Sequence, residues 1–224
     1  RRSGNRYEFV NAKEITGECR MVKSDNEIAL MQRAKEITLN VHQATACILY
    51  DGASTEDIKA FIAEAHRRLG CDGPMSFSIV LFGEATAYPH GVPYSQSLND
   101  GDMVLIDIGA TVEGYHSDIT RSYVFGEPTP RQRDVWNIER DAQLAAFEAA
   151  LPGNTCEAVD AAARSVIEAA GFGPGYAVPG LPHRTGHGIG LDVHEWSYLV
   201  QGNQTVLQSG MCFSNEPMIC IYGE

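Results

Sequence analysis

An internal repeat constrains the fold of this 224-residue chain more than any other feature. Segments 52–70 and 153–171 each begin and end with glycine and each span the same 18-residue step. Ser54 and Thr155 stand at matching positions near the start of the two segments. Ser and Thr side chains cap the first amides of helices, and glycine adopts the left-handed conformation that ends them. Each segment therefore predicts a capped helix that ends at a glycine.

A longer helix is predicted before each of these segments. Ser24 and Glu27 have the spacing of a capping box, and apolar residues with roughly helical spacing follow as far as Ile48. In the second half, Thr129 is followed by Pro130, which suits the first position of a helix. The sequence therefore predicts one pair of helices in each half.

Each helix pair leads into an apolar segment that predicts a buried strand. These segments are LNDGDMVLIDIG at 98–109 and LQSGMCFSNEP at 207–217. A shift of 109 residues superposes them and places Asp107 on Glu216. We therefore expect an α+β fold of two equivalent helix-helix-strand halves, each contributing one carboxylate at the same point of a strand.

Asp107 lies in the apolar run MVLIDIG, where a charge is costly unless it is paired or bound to a metal. Asp118 follows eleven residues later, and the intervening ATVEGYHS contains Gly114 and reads as a hairpin turn. Such a hairpin would bring the two carboxylates side by side. They would repel each other unless a cation or a proton lay between them.

The stretch HRTGHGIGLDVHE at 183–195 contains His183, His187 and His194. Arg184 and three glycines argue against a helical zinc motif, and GLDVHE alternates as the edge of a strand does. Taken alone, the stretch also fits a glycine-rich loop with surface histidines. The stretch indicates a function only together with the acidic residues described above.

Two aspartates, one glutamate and a histidine form a hard, oxygen-rich donor set with one imidazole. This set suits divalent Mn, Fe, Co or Zn better than metals that prefer thiolates. Bridging carboxylates favour a pair of ions that share a water-derived nucleophile. Each acid alone is more often structural, but three acids on a repeat together indicate a metal centre.

Composition excludes some classes of function. The net charge of −12 argues against binding nucleic acid through its phosphates. The apolar runs are too short to cross a bilayer, so we expect no membrane partner. Six cysteines without a CxxC pair predict a reduced, cytoplasmic protein.

Four motifs carry a resemblance to a known family: AYPHG at 87–91, LIDIGATVEGYHSDITRSY at 105–123, HRTGHGIGLDVHE at 183–195 and SNEP at 214–217. Over about residues 20–224 the chain resembles the pita-bread metallopeptidases, which include methionine aminopeptidase, aminopeptidase P and prolidase. The histidine-rich motif is most similar to the Xaa-Pro branch. The resemblance implies the pita-bread fold, with two pseudo-symmetric halves around a curved antiparallel sheet.

The resemblance also implies the metal ligands. Asp107 would chelate one ion, Asp118 would bridge both, and His187 and Glu216 would bind the other. Two divalent ions are implied, with Mn expected first and Co, Zn or Fe as alternatives. The family has a further bridging glutamate in a strand just after the point reached by residue 224.

Three histidines are implied to act on the substrate, with Glu216 as general base. His90 would line the pocket and help bind or stabilise the reacting amide. His194 would contact the scissile carbonyl and the tetrahedral intermediate. His183 lies where Xaa-Pro enzymes place a substrate-binding histidine.

The resemblance implies a domain arrangement. Residues 1–23 are expected to be a linker or the end of a missing N-terminal domain, and residues 24–224 a metallopeptidase catalytic domain that is truncated at its C-terminus. A homodimer is a family expectation.

The expected function is hydrolysis of the peptide bond preceding proline in small Xaa-Pro peptides, by a hydroxide that bridges two metal ions. One alternative is another amidohydrolase of this scaffold, acting on creatine or on a cyclic compatible solute. The complete set of four ligands argues against the creatine type. The other alternative is a non-catalytic pita-bread binding protein, which would usually have lost metal ligands.

Overall fold

A computed structural model describes residues 10–73 and 75–224 of the chain. In this part of the chain, residues Gly83–Ala87 form a short 3-10 helix directly after the first strand, Phe77–Phe82. The helices are α1 Lys13–Met21, α2 Asp25–Ile48, α3 Thr55–Arg68, α4 Pro130–Ala149 and α5 Cys156–Ala169. The strands are β1 Phe77–Phe82, β2 Met103–Gly109, β3 Thr111–Val112, β4 Tyr115–His116, β5 Ile119–Val124, β6 Gly186–Gly188 and β7 Glu195–Leu199.

The predicted helix starts are confirmed, including both long helices. Ser24 accepts a hydrogen bond from the Glu27 amide, and the Glu27 carboxylate accepts one from the Ser24 amide at 2.8 Å, which completes the capping box. Thr129 and Gln132 form the same reciprocal pair at the start of α4. Because these bonds satisfy amides that the helix itself leaves free, they fix the starts of both long helices in the same way.

β2 is the centre of a three-stranded antiparallel sheet with the order β1-β2-β5. Val104, Ile106 and Ile108 point to one face and are fully buried against the helices. Asp107 points to the opposite face and lies across from Thr120 of β5. β3 and β4 form the tip of the hairpin, so the predicted turn between Asp107 and Asp118 is confirmed.

The segment expected to be the second buried strand, 207–217, is not a regular strand, and in this detail the prediction was wrong. It forms single bridges, including one from Phe213 to Gly188. Further along, the Ser214 and Glu216 amides donate to carbonyls of 185–187 at 2.7 and 2.9 Å. Its partner β6 has three residues and a register shift, so a continuous ladder cannot form.

The expected alternation of GLDVHE as a strand is also interrupted. Residues 189–194 form the bends between β6 and β7, and only the final Glu195 belongs to a strand. Gly190 explains the bend, because a Cβ there would lie 2.8 Å from the Glu195 carboxylate and 2.8 Å from Lys23 Cε. The chain therefore needs glycine where it folds back over this pair.

Each half of the repeat has its own hydrophobic core. The first core packs α2 and α3 on the β1-β2-β5 sheet, and the second packs α4 and α5 on β7 and 207–221. Fully buried members of the first are Val41, Ala53, Ile62, Leu98, Val104, Ile106 and Ile108; those of the second are Ala142, Ala146, Cys156, Val159 and Ala163. The fully buried members differ in composition, with Ile, Val and Leu prominent in the first core and Ala in the second. Each half nevertheless has a core of its own, which supports the two-half architecture predicted from the repeat.

The region expected to be a linker contains a helix. Residues 1–9 lie outside the described residues, and α1 packs against β7. Beyond α1, Lys23 forms a buried ion pair with Glu195 at 2.9 Å. Arg20 contacts Glu195 and also Asp192, the latter at 2.9 Å. The assignment of residues 1–23 to the end of a preceding domain stays a prediction.

Within the described residues, none of the helices combines the length and the apolar composition that crossing a bilayer requires.

A buried ion pair on α5 holds the chain that leads to the histidine-rich motif. Arg164 donates to Asp160 at 2.8 Å, to the Leu181 carbonyl at 3.1 Å and to the His183 carbonyl at 2.5 Å. Asp160 in turn accepts from the amide and the hydroxyl of Thr185, at 3.1 and 2.7 Å. The exposed fractions of the Arg164 and Asp160 side chains are only 9% and 1%. The pair therefore fixes 181–185 at both ends.

Replacing Arg164 by Met should lower the free energy of unfolding by about 3–5 kcal/mol, because it leaves Asp160 buried and uncompensated. Arg67→Met is the control, since Arg67 forms an exposed pair with Glu64 within a helix. That change should cost about 1 kcal/mol or less. Urea unfolding of both variants measures the difference. Equal losses of unfolding free energy in the two variants would show that the buried pair on α5 stabilises the fold no more than the exposed pair does.

Candidate metal centre

The hairpin between β2 and β5 brings Asp107 and Asp118 to one side of the sheet. Asp107 lies directly across from Thr120, and Asp118 precedes Thr120 by two residues. Because side chains alternate along a strand, Asp118 shares the face of Thr120 and hence of Asp107. The local pairing thus produces the first half of the predicted ligand set.

The second half of the molecule contributes His187 and Glu216 to the same place. His187 Nε2 lies 3.2 Å from an Asp118 oxygen and 3.0 Å from a Glu216 oxygen. The His187 and Asp118 side chains are only 3% and 7% exposed. Residues from both halves of the repeat therefore meet at one imidazole.

Asp107 is the fourth member of the predicted ligand set, and the charges of the other two acids act on its carboxyl group. Burial and the neighbouring carboxylates of Asp118 and Glu216 raise the pKa of Asp107 to about 7, against a weaker opposing hydrogen bond from Thr120. Its Oδ1 is buried and has no hydrogen-bond partner among the described residues. An unpartnered buried carboxylate oxygen is costly, and a cation would remove that cost.

His187 has the electrostatics of a group surrounded by anions. Burial alone would lower its pKa, but hydrogen bonds to Asp118 and Glu216 raise it to about 9. Burial conversely would raise the pKa of Glu216, yet the hydrogen bond and charge of His187 lower it. The imidazolium thus supplies the positive charge that three nearby carboxylates require.

The donor set fits a divalent metal. The His187 Nδ1 hydrogen donates to the Gly188 carbonyl at 3.0 Å, which turns Nε2 toward the carboxylates, as in metal-binding histidines. Direct bonds between His187 and the acids draw the side chains together. In residues 10–73 and 75–224, no three His, Cys, Asp or Glu side chains are arranged as a preformed metal site. Loss of the Nε2 proton would convert this group into a ligand set.

Ser214 is a residue of the site that the sequence analysis did not single out. Its hydroxyl donates to Glu216 at 2.8 Å and accepts from the His187 amide at 3.0 Å. It therefore joins the two ligands of the second half. Its position two residues before Glu216 in an extended segment was the available signal, since such residues share a face.

His194 lies beside His187, and its role toward the substrate stays a prediction. Its ring stands edge-on to the His187 ring, with 4.2 Å between centroids. Burial and the positive charges of His187 and Arg184 lower the pKa of His194. At neutral pH it is therefore an uncharged imidazole, and the residue is exposed.

His183 and His90 stand outside the direct contacts that join Asp118, His187 and Glu216. His183 is half-buried, its Nδ1 lies 2.6 Å from the Arg184 carbonyl, and its charge helps lower the pKa of Glu216. His90 is exposed in the turn after the 3-10 helix, and no hydrogen bond joins it to the ligands among the described residues. A Cβ on adjacent Gly91 would lie 4.0 Å from Ile79, which pairs with Asp107.

A cavity of about 320 Å³ lies between α2 and the segment 211–214 and reaches Asp118. Its walls include Met31, Lys35 and His116. The Nδ1 atom of His116 is buried without a hydrogen-bond partner within the described part of the chain. There is thus open volume directly beside one of the predicted ligands.

Known proteins share this arrangement of elements. The profile of Metallopeptidase family M24 matches residues 29–224. An Xaa-Pro dipeptidase from Pyrococcus horikoshii is 34% identical over 221 residues, which cover 99% of this chain and 62% of that protein.

Two solved structures superpose closely. The X-Pro aminopeptidase from Thermotoga maritima has a TM-score of 0.89 and 33% identity, covering 94% of this chain and 58% of that one. Dipeptidase PepE from Mycobacterium ulcerans has a TM-score of 0.89 and 41% identity, covering 96% and 56%. The chain thus spans little more than half the length of these relatives. The superpositions confirm the predicted pita-bread fold, and the chain belongs to metallopeptidase family M24.

Proposed function

We propose that the chain hydrolyses the peptide bond preceding proline in small peptides, with two divalent metal ions held by Asp107, Asp118, His187 and Glu216. The observation that carries the proposal is the meeting of Asp118, His187 and Glu216 within 3.0–3.2 Å. Relatives named Xaa-Pro dipeptidase and X-Pro aminopeptidase support the substrate class. Chain-length profiling with Xaa-Pro dipeptides and longer peptides separates these two activities.

When bound, the ions would supply a water-derived nucleophile at neutral pH and withdraw electron density from the scissile carbonyl. Mn²⁺ is the proposed ion, because a donor set with three carboxylates and one imidazole is hard and oxygen-rich. Co²⁺, Zn²⁺ and Fe²⁺ accept the same donors and are tested in the same titration.

Glu216 is proposed as the general base. Its lowered pKa keeps it ionised at neutral pH, and the hydroxyl of Ser214 holds one of its oxygens. A carboxylate oriented in this way can take the proton of the attacking water. The Glu216 side chain is 29% exposed, so water can reach it.

The histidines are proposed to act on the peptide. His194 is uncharged and exposed beside His187, so it can donate a hydrogen bond to the carbonyl oxygen as negative charge develops there. His183 and His90 are proposed to bind the substrate on either side of it. A bond to proline has no amide hydrogen, so recognition has to rely on its carbonyl and on the rest of the peptide.

Two other functions remain as alternatives to be tested. A ring-opening amidohydrolase of a cyclic compatible solute would use the same metal ligands, and a substrate panel containing such rings and creatine would detect it. A non-catalytic binding protein would bind peptide without turnover. The presence of all four proposed ligands, three of them in direct contact, favours an enzyme.

We also propose a cytoplasmic location, since all six cysteines are free thiols and such cysteine use is typical of reducing compartments. A homodimer is proposed on the family resemblance alone, and sedimentation would measure it.

Asp118→Asn should weaken Mn²⁺ binding at least about tenfold, or about 1.4 kcal/mol, because it removes a charge at the centre of the donor set. Calorimetric titration measures the affinity. Asp134→Asn, an exposed change on α4, is the matched control and should bind like wild type. Equal affinities in the two variants, or no Mn²⁺ binding by the wild-type chain, would contradict the proposed centre.

Mn²⁺ affinity should rise with pH between about 7 and 9. The pKa of His187 is raised to about 9, so below that pH the metal-free imidazole holds a proton that binding must displace. One displaced proton gives about a tenfold gain in affinity per pH unit in this window. Titrations at four pH values test this, and a flat profile would exclude His187 as a ligand.

His194→Ala should lower kcat about 10²–10⁴-fold on Xaa-Pro dipeptides while leaving Mn²⁺ affinity unchanged. His183→Ala should instead act mainly on KM, since its proposed role is substrate binding. Steady-state kinetics of both variants measure the split. A fall in Mn²⁺ affinity in His194→Ala would assign that residue to the metal and not to the peptide.

A further inference from the structure

Two polar residues of α2, one helical turn apart, contact the backbone segment that carries Asp118. The Thr38 hydroxyl lies 2.7 Å from the hydroxyl of Ser117, the residue before Asp118. The His42 Nε2 hydrogen donates to the carbonyl of Ile119, the residue after it, at 2.9 Å. The two contacts therefore bracket Asp118 along the chain.

A donor and an acceptor can be assigned to each hydrogen bond around Thr38. The His66 Nδ1 hydrogen donates to the Ile62 carbonyl at 3.0 Å, so Nε2 of neutral His66 is an acceptor. It lies 3.2 Å from the Thr38 hydroxyl, which therefore donates its only hydrogen to it. The Thr38 oxygen is then left to accept from Ser117 at 2.7 Å, the shorter of the two contacts open to that hydroxyl. The Ser117 oxygen accepts from the Ala110 amide at 3.1 Å.

This network is closed to water. Thr38 and His66 are fully buried, Ser117 is 3% exposed and His42 is 6% exposed. Burial lowers the pKa of His66 and lowers that of His42 to about 4, so both rings are neutral at neutral pH. The donor and acceptor roles are therefore constant under ordinary conditions.

The repeat supplies an independent observation. The shift of 101 residues that relates Gly52 to Gly153 also relates His42 to Gln143 on α4. The Gln143 side chain donates to the carbonyl of Asn215 at 3.4 Å, and Asn215 donates back to the Gln143 carbonyl at 2.9 Å. Asn215 directly precedes Glu216. In both halves, the same helical position holds the backbone next to a proposed metal ligand.

We infer that Thr38 and His42 are positioning residues, which we call the α2 brace, and that they fix the backbone around Asp118 so that its carboxylate meets His187. The inference rests on the proposed function, because it assigns the brace a role in metal binding. Thr38 and His42 act only through the chain at 117–119. Neither is a ligand.

Thr38→Val tests the brace, because valine keeps the shape of threonine and removes the hydroxyl. Thr45→Val is the matched control: Thr45 is also fully buried on α2, but its hydroxyl bonds only within the helix, to the Val41 carbonyl at 2.7 Å. Thr38→Ser restores the hydroxyl. The readouts are Mn²⁺ affinity and, in the metal-free protein, hydrogen exchange of the backbone at 115–120.

We expect Thr38→Val to weaken Mn²⁺ binding at least about tenfold and to speed exchange at 115–120 about tenfold, on the scale of one lost buried hydrogen bond. Thr45→Val should stay within about twofold of wild type in both readouts, since its lost bond is local to α2. Thr38→Ser should recover both. If Thr38→Val does not fold, His42→Phe and His42→Gln replace it, since glutamine keeps a donor and phenylalanine does not.

The inference about the α2 brace would be overturned if Thr38→Val and Thr45→Val changed both readouts to the same extent. It would also be overturned if Thr38→Val lowered only the melting temperature. A wild-type chain that binds no Mn²⁺ would instead contradict the proposed function. In that case, the exchange comparison alone decides whether the brace orders the Asp118 segment.

Discussion

Mutual repulsion between three carboxylates is the constraint on which the rest of this structure depends. Asp107, Asp118 and Glu216 share a partly buried volume, and burial together with the charges of the other two acids raises the pKa of Asp107. A positive charge relieves this repulsion, and His187 provides one here through direct bonds to two of the acids. A fold that maintains such a group has to hold each acid from outside the group.

The helices supply that support, and each half does so in its own way. α2 bonds to the Ser117 hydroxyl and the Ile119 carbonyl on either side of Asp118, whereas α4 bonds to the Asn215 carbonyl before Glu216. α5 adds a buried ion pair that fixes the chain at 181–185, whose Thr185 carbonyl receives the Glu216 amide at 2.9 Å. Polar side chains of the helices therefore form hydrogen bonds with the residues next to the ligands and not with the ligands themselves.

The sequence predicted the features that depend on local chemistry. Helix caps, the hairpin and the four candidate ligands could be read from residue types and spacing, because each is a short-range signal or a motif. The regular strand expected at 207–217 failed, because its partner is short and bulged. Contacts such as that of Thr38 with Ser117, 79 residues apart, leave no trace in periodicity, so the supports of the site were invisible before the structure.

Charge pairing extends this unit beyond the limits of the family profile. The family match begins at residue 29, yet the Glu195 carboxylate, next to His194, is compensated by Lys23 and Arg20. The Lys23 and Glu195 side chains are only 2% and 4% exposed. A fragment trimmed to the family limits would leave the buried Glu195 carboxylate, at the start of β7 and next to His194, without these two cations. The smallest electrostatically complete piece of this protein therefore has to begin before Arg20.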